Sequence, residues 1–268
     1  MVSILQSVAE LESQNKPGAL CMVVRSKGST PRHSGSKMLV YADGSIAGTV
    51  GGGELENRVI REALAAIQDG RPRMLEYQMA DPKRGDPGVC GGQVEVYVEP
   101  IRPKPTIVVI GTGHVGKAVA QLAHWLGFRV VVSDDREDFC TPEVVPDADE
   151  YLAVPIAEIP RRMEVNESTY LILTTRGVNV DIPGLPALLD LPAAYIGVIG
   201  SQRRWATTKK QLQEQGVPAE KIDRIRSPIG LELRAETPEE IAVSIMAEII
   251  MLRQGGDGAA MSEDRETT

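Results

Sequence analysis

Apolar residues recur at helical spacing near the start of the chain. Ile4, Leu5, Val8 and Leu11 form one stripe, and Ser3 with Gln6 can close a capping box ahead of it. Lys16-Pro17-Gly18 stops that helix. The period then changes. Residues 19–24 are an unbroken apolar run and predict a buried strand, while 37–41 and 45–48 flank Asp43-Gly44 as the arms of a hairpin. Helical spacing returns over 54–67, where Leu55, Val59, Ile60, Leu64 and Ile67 share a face. Strands near 73–78 and 93–98 enclose a loop rich in glycine, proline and charge.

Pro100, Pro103 and Pro105 crowd the next stretch, and proline at that density favours an extended connection. A boundary near 103 is expected, with a small mixed α/β domain over 1–102 and a second domain over 103–255. In that second part, strands near 108–110, 130–132, 151–154, 170–174 and 195–199 alternate with helix-like stretches, which predicts a Rossmann-like, doubly wound parallel sheet. The last helix has the fullest set of signals: Thr237 as cap, Pro238 at the first helical position and Glu240 to complete a capping box. Ile241, Ile245, Met246, Ile249 and Leu252 follow at helical spacing, and Gly255 ends the run. Residues 256–268 hold Met261 as their one large aliphatic side chain and are expected to form a disordered tail.

The strand at 108–110 runs straight into Gly111-Thr112-Gly113-His114-Val115-Gly116, a G-x-G-x-x-G pattern, with a helix-like stretch over 117–126 behind it. Gly111 permits a tight turn, Gly113 lets a pyrophosphate approach the backbone, and Gly116 lets helix and strand pack closely. Asp134 stands about twenty residues further on, where an acid in such folds meets a ribose hydroxyl. A whole β-α-β unit carries the pattern, so dinucleotide-type binding is expected; the alternative is a unit of this shape that holds no ligand.

Composition narrows the classes. Hydrophobic residues make up 42% of the 268 and charged residues 25%, an ordinary globular balance. A net charge of −8 with 4% aromatics argues against nucleic acid as the main partner, which needs cations and stacking platforms. No run approaches the roughly twenty apolar residues of a membrane span, and the N-terminus lacks the basic segment of a signal peptide. Cys21, Cys90 and Cys140 are odd in number and unrelated in context, which suits reduced thiols in a cytoplasmic protein.

Four loops have compositions that suggest chemistry. Residues 25–37 hold Arg25, Lys27, Arg32, His33 and Lys37 without an acid, so Arg32 and its neighbours suggest an anion site; the alternative is a solvated connection. Gly51-Gly52-Gly53 feeds a helix whose N-terminus can receive an anion, with Glu54 in the first turn as the alternative partner of the dipole. Cys90, flanked by Gly88, Gly91 and Gly92, is the thiol expected to be exposed and the candidate catalytic residue, whereas Cys21 and Cys140 read as packing. Gly200-Ser201-Gln202-Arg203-Arg204 follows the last predicted strand at the ligand edge of the sheet, where Arg203 and Arg204 can grip a phosphate. His114 and Arg136 complete the set near the glycine pattern.

Taken together these segments resemble one family, the XdhC/CoxI-type accessory proteins of molybdenum hydroxylases such as xanthine dehydrogenase. The matching pieces are Gly28-Ser29-Thr30-Pro31-Arg32, the stretch Gly48-Thr49-Val50-Gly51-Gly52-Gly53-Glu54-Leu55-Glu56, and Cys90-Gly91-Gly92. Further matches are the pattern Gly111 to Gly116, Asp134-Asp135-Arg136, the run Tyr195 to Ser201, Pro228-Ile229-Gly230-Leu231 and the run Glu236 to Ala242. The resemblance implies a carrier that binds molybdenum cofactor, as molybdopterin or its dinucleotide form, protects it, assists its sulfuration and inserts it into a hydroxylase apo-subunit. It also implies a cysteine desulfurase as sulfur source, and a homodimer is expected. Where the family commonly has a histidine after Thr175-Arg176-Gly177, this chain has Val178, which leaves any role of that side chain in doubt. The alternatives are an NAD(P)-dependent oxidoreductase, against which stands the lack of a Tyr-x-x-x-Lys pair, and a nucleotide-sensing regulatory protein.

Overall fold

The structure is a computed structural model that describes residues 3–79, 86–88 and 90–262. The chain divides into two compact units, Met1–Pro103 and Lys104–Thr268. In the first, α1 (Ile4–Ser13) precedes β1 (Gly18–Lys27), β2 (Lys37–Tyr41), β3 (Ile46–Gly48), α2 (Gly53–Asp69), β4 (Arg73–Gln78) and β5 (Gln93–Ile101). The strands form one antiparallel sheet in the order β3-β2-β1-β5-β4. Leu55, Val59, Ala63 and Ala66 of α2 pack with Cys21, Val23, Val96 and Val98 from the central strands. That alternation along β5 is what a half-covered sheet demands.

Three local expectations change. The capping box of α1 forms, but Leu5 is 59% exposed, so the inner side of this helix is the buried Leu11 with half-buried Ile4 and Val8. β1 does not stop at Val24: a bulge between Val23 and Arg25 lets it continue to Lys27, placing Arg25 opposite Glu95 at 3.1 Å in a strand rather than a loop. β5 likewise runs through Pro100, paired with Ala19. Since β4 pairs no further than Val98, one flank of Pro100 has no strand beside it, and a missing N–H is tolerated there.

The second unit is β6 (Thr106–Ile110), α3 (His114–Trp125), β7 (Arg129–Ser133), β8 (Glu150–Leu152), α4 (Ile159–Arg162), β9 (Thr169–Leu173) and α5 (Val178–Leu189). It continues with β10 (Tyr195–Val198), α6 (Gln202–Glu214), α7 (Ala219–Ile222), β11 (Ile225–Arg226) and α8 (Pro238–Gln254). Its six strands are parallel in the order β11-β10-β9-β6-β7-β8, so the sheet is doubly wound as the alternation predicts. α3 and α8 cover one face through Val119, Ala123, Ile245 and Ile249, while α5 covers the other through Leu185 and Leu188. β6 and β9 are buried on both faces, hence their unbroken apolar runs.

Two crossovers differ from expectation. Between β7 and β8 there is a 3-10 turn, Glu137–Phe139, where a helix is expected, and between β8 and β9 another 3-10 turn leads into the single turn of α4. The edge strand β11 has no counterpart among the strands expected from the sequence. The capping box of α8 forms, with Gly255 left-handed at its end, but Leu252 is 37% exposed. Residues 256–262 follow without helix or strand and are exposed, and the rest of the expected tail lies outside the described residues. No helix among the described residues is long and apolar enough to cross a membrane.

Candidate functional site

The order β9-β6-β7 puts the switch point of the second unit at the carboxyl end of β6, where the chain enters the glycine pattern. The three glycines divide the work by geometry. Gly111 has φ +100°, and a Cβ there would stand 2.8 Å from the Thr174 carbonyl oxygen. At Gly116 a Cβ would lie 2.0 Å from the Gly111 carbonyl, so α3 can approach its own loop only without one. Gly113 caps α3, and among the described residues nothing lies within 4 Å of where its Cβ would be, so this position faces open space. A cavity of about 320 Å³ opens there, lined by Gly111, Gly113, His114, Lys117, Arg136 and Arg176 among others. His114 and Lys117 are exposed on the first turn of α3.

Asp134 is not placed as a free ribose acceptor. It is 3% exposed and its carboxylate is already occupied. The Thr112 N–H donates to Oδ2 at 3.0 Å, and Arg136 donates through its N–H, Nε and Nη2 at 3.1, 2.8 and 2.9 Å. The Arg136 guanidinium also lies 3.7 Å over the centre of the Phe139 ring. Asp134 therefore braces the glycine loop. Burial would raise its carboxyl, but the bonds from Arg136 and Thr112 outweigh that and hold it at about 2. The folded state lowers this carboxyl, so its contribution is complete above about pH 4 and fades as pH falls toward 2, roughly 2–3 kcal/mol in all. In unfolding free energies measured between about pH 5 and pH 2, the parent should lose that much more than Asp134→Asn. Parallel curves would refute the brace.

The segment after β9 completes the edge. The Thr174 hydroxyl donates to the Gly111 carbonyl at 2.6 Å, which ties the two loops together. The Thr175 hydroxyl donates to Asp181, a fully buried carboxylate on α5. Arg204 of α6 reaches the same pair, with Nη2 2.6 Å from Asp181 and 3.0 Å from the Thr175 hydroxyl. Arg204 is thus a partner of a buried acid and not a phosphate clamp, contrary to the expectation from sequence. Arg203 beside it is exposed on the same helix. Gly200 has φ +148° with Arg204 packed against it, and Ser201 caps α6 by accepting from the Arg204 N–H at 3.2 Å. Arg176 points elsewhere, pairing with Asp135 through two bonds of 2.6 and 2.7 Å. Sequence reasoning passed over Asp135, Arg176, Lys117 and Phe139, all of which line the cavity. Arg176 had a signal: it follows the strand next to β6, at the switch point.

In the first unit the other loops meet one another. Gly28 packs on Gly92, where a Cβ on Gly28 would lie 3.2 Å from the Gly92 Cα, and a Cβ on Gly92 would strike the Ser29 carbonyl at 2.3 Å. A Cβ on Gly51 would lie 3.2 Å from Pro31, so the triple-glycine turn adjoins the same loop. Cys90 is exposed beside this cluster, and Arg32 is exposed on its loop. The expectation of bare N–H groups fails at two of the three glycines of the turn. The Gly51 N–H donates to the Thr49 hydroxyl at 3.1 Å and the Gly52 N–H to Glu56 at 3.3 Å, because Glu56 folds back over the turn. The conformational freedom is used, with φ +76° at Gly52 and +63° at Gly53. Glu54 is drawn into an ion pair with Arg58 at 3.0 Å and so answers its own helix. Cys21 and Cys140 are buried, and burial pushes the Cys21 thiol up to about 12, which makes it inert.

Known proteins divide along the same lines. Residues 107–249 match the XdhC Rossmann domain, and residues 11–78 match the XdhC and CoxI family. The chain is 38% identical over 264 residues to the protein YqeB of Escherichia coli (strain K12), covering 97% of this chain and 48% of that protein. It is 32% identical over 159 residues to a probable xanthine dehydrogenase subunit of Bacillus subtilis (strain 168), covering 59% and 46%. The chain therefore spans about half the length of these two relatives. It is 24% identical to the molybdenum cofactor insertion chaperone PaoD of Escherichia coli (strain K12), covering 94% of this chain and 88% of that one. A crystal structure described as a xanthine dehydrogenase from Bacillus halodurans shares the fold at a TM-score of 0.51 and 23% identity, covering 97% and 98%. With one family match on each unit, and the loops at Gly28, Gly51–Gly53 and Gly111–Gly116 lying within them, the chain belongs to the XdhC and CoxI family.

Proposed function

We propose that the chain carries molybdenum cofactor and serves the maturation of a xanthine dehydrogenase-type hydroxylase. The likeness to PaoD, a molybdenum cofactor insertion chaperone, along 94% of the chain carries this reading. The open side of Gly113 supports it, since a phosphate or diphosphate of the cargo can approach the backbone there with His114, Lys117 and Arg136 around it. In this reading the protein protects the cofactor until a hydroxylase apo-subunit takes it. A cysteine desulfurase provides the sulfur for its sulfido ligand, and a second copy of the chain completes the working unit. NAD(P) is the rival ligand. The occupied carboxylate of Asp134 speaks against it, because the acid that would meet the ribose is already bonded to Arg136 and Thr112.

The test is retention of pterin. The purified protein is incubated with isolated molybdenum cofactor and desalted, and bound pterin is measured by fluorescence after oxidation, with NAD and NADP titrated by calorimetry in parallel. One pterin per chain without nicotinamide binding is expected. Nicotinamide binding without pterin would move the chain to the oxidoreductase or sensor class.

Cys90 is the thiol this reading assigns to sulfur handling, since it is exposed next to glycine loops that cannot cover it. Cys90→Ser should lower activation of the client hydroxylase by about tenfold or more. Its stability should stay within about 0.5 kcal/mol of the parent, as for other exposed substitutions. A fully activated client would dismiss the thiol.

A further inference from the structure

On the reading that the glycine cleft receives the cargo's phosphate, we propose that Arg176 is the residue that recognises this phosphate and that Asp135 holds Arg176 in reserve until the phosphate displaces it. Two cavities meet at the carboxyl edge of the parallel sheet. One, of about 320 Å³, lies over the glycine loop, and the other, of about 200 Å³, lies against Pro155, Ala157, Asn179 and Pro183. Asp135, Ile156, Arg176 and Val180 line both, so the ion pair stands on the partition between them.

The pair spans the switch point. Asp135 follows β7 and Arg176 follows β9, and β6 runs between those strands, so the contact crosses the carboxyl end of β6 above the glycine loop. Its geometry is a fork on a fork, two bonds of 2.6 and 2.7 Å, and the guanidinium offers the same fork to phosphate oxygens.

Exposure separates this pair from its neighbours. Arg136 and Arg204 both hold buried acids, with Asp134 at 2% and Asp181 at 0% side-chain exposure, so losing either arginine would strand a buried charge. Arg176 and Asp135 are 48% and 33% exposed. Their attraction is screened by water and worth little, and water can take either partner when they separate. A phosphate at the glycine loop out-competes a single carboxylate for Arg176, because it carries more oxygens and up to two charges. Asp135, left beside an anion, turns to solvent and the partition between the cavities opens. The ligand class is therefore an organic phosphate or diphosphate whose remaining part extends past Arg176 into the second cavity.

The test is calorimetric titration of the full chain with inorganic pyrophosphate. Asp135→Asn removes the competitor and should bind about three- to tenfold more tightly than the parent. Arg176→Gln should bind about ten- to a hundredfold more weakly, and the double variant should follow Arg176→Gln. Thermal unfolding of each checks that the fold persists. An Asp135→Asn protein that binds no tighter, or an Arg176→Gln protein that binds as the parent does, overturns the proposal. Gly113→Asp in the same series keeps the two readings apart. If it alone loses binding, the cleft stands and the role of Arg176 falls; if the parent and Asp135→Asn both fail to bind, both fall. A nucleoside diphosphate and the isolated pterin cofactor, titrated into Asp135→Asn, then tell which organic group the second cavity accepts.

Discussion

Gly113→Asp is expected to abolish pterin retention while the protein stays folded. The two halves of that outcome come from the same observation. Gly113 has an ordinary φ of −68° and no atom within 4 Å of a new Cβ, so the fold has no reason to resist a side chain there. The same open space is where a phosphate would approach the helix N-terminus. A carboxylate about 4 Å from a phosphate in a surface cleft costs roughly 4 kcal/mol, about a thousandfold in affinity. Gly113→Ala should keep most of the binding, which isolates charge from bulk. Gly116→Ala should do the reverse and destabilise the loop, because its Cβ would stand 2.0 Å from the Gly111 carbonyl. Desalting retention and the thermal midpoint read both halves, and unchanged retention in Gly113→Asp would remove this loop from the site.

The largest stability loss is expected at Asp181, which is fully buried behind Thr175 and is not itself part of the cavity lining. Its carboxylate is fully buried and receives bonds from Thr175 and from Arg204, whose own Nε is buried without a partner. Asp181→Ala leaves a mostly buried guanidinium charge with only the neutral oxygens of Thr175 to receive it, a defect that typically costs about 3–5 kcal/mol. Combining Asp181→Leu with Arg204→Met should recover most of the loss, since the charge is removed along with its partner. Equilibrium unfolding in denaturant measures both. A loss in Asp181→Ala below about 1 kcal/mol would mean that the network does not hold the loop after β9.

The sequence made the parallel sheet legible because strands buried on both faces read as continuous apolar runs, as in β6 and β9. It misled where a run was polar yet still paired. Arg25 and Lys27 extend β1 because β5 offers Gln93 and Glu95 across the bulge, which no local pattern reveals. The tight fits at Gly111 and Gly116 were legible, since a Cβ at either would meet backbone atoms, whereas Gly113 faces open space. Which acids and arginines face the cleft was not. Asp134, Asp135 and Asp181 are all plausible ligands by type; Asp134 turns to Arg136 two residues on, Asp135 and Asp181 to arginines 41 and 23 residues away, and burial makes two internal and leaves one on the rim. The fold-back of Glu56 over the glycine turn is a local contact, four residues from Gly52, and the periodicity of apolar positions carries no signal for it.

Both margins of the parallel sheet are stubs, two residues in β11 and three in β8. A margin that short presents too few free backbone groups to template another strand, so it guards against the edge-to-edge aggregation that longer margins invite. Self-association of this unit through sheet edges is therefore disfavoured, and a fluorescent dye specific for cross-β fibrils should find little to bind at those margins in the native protein.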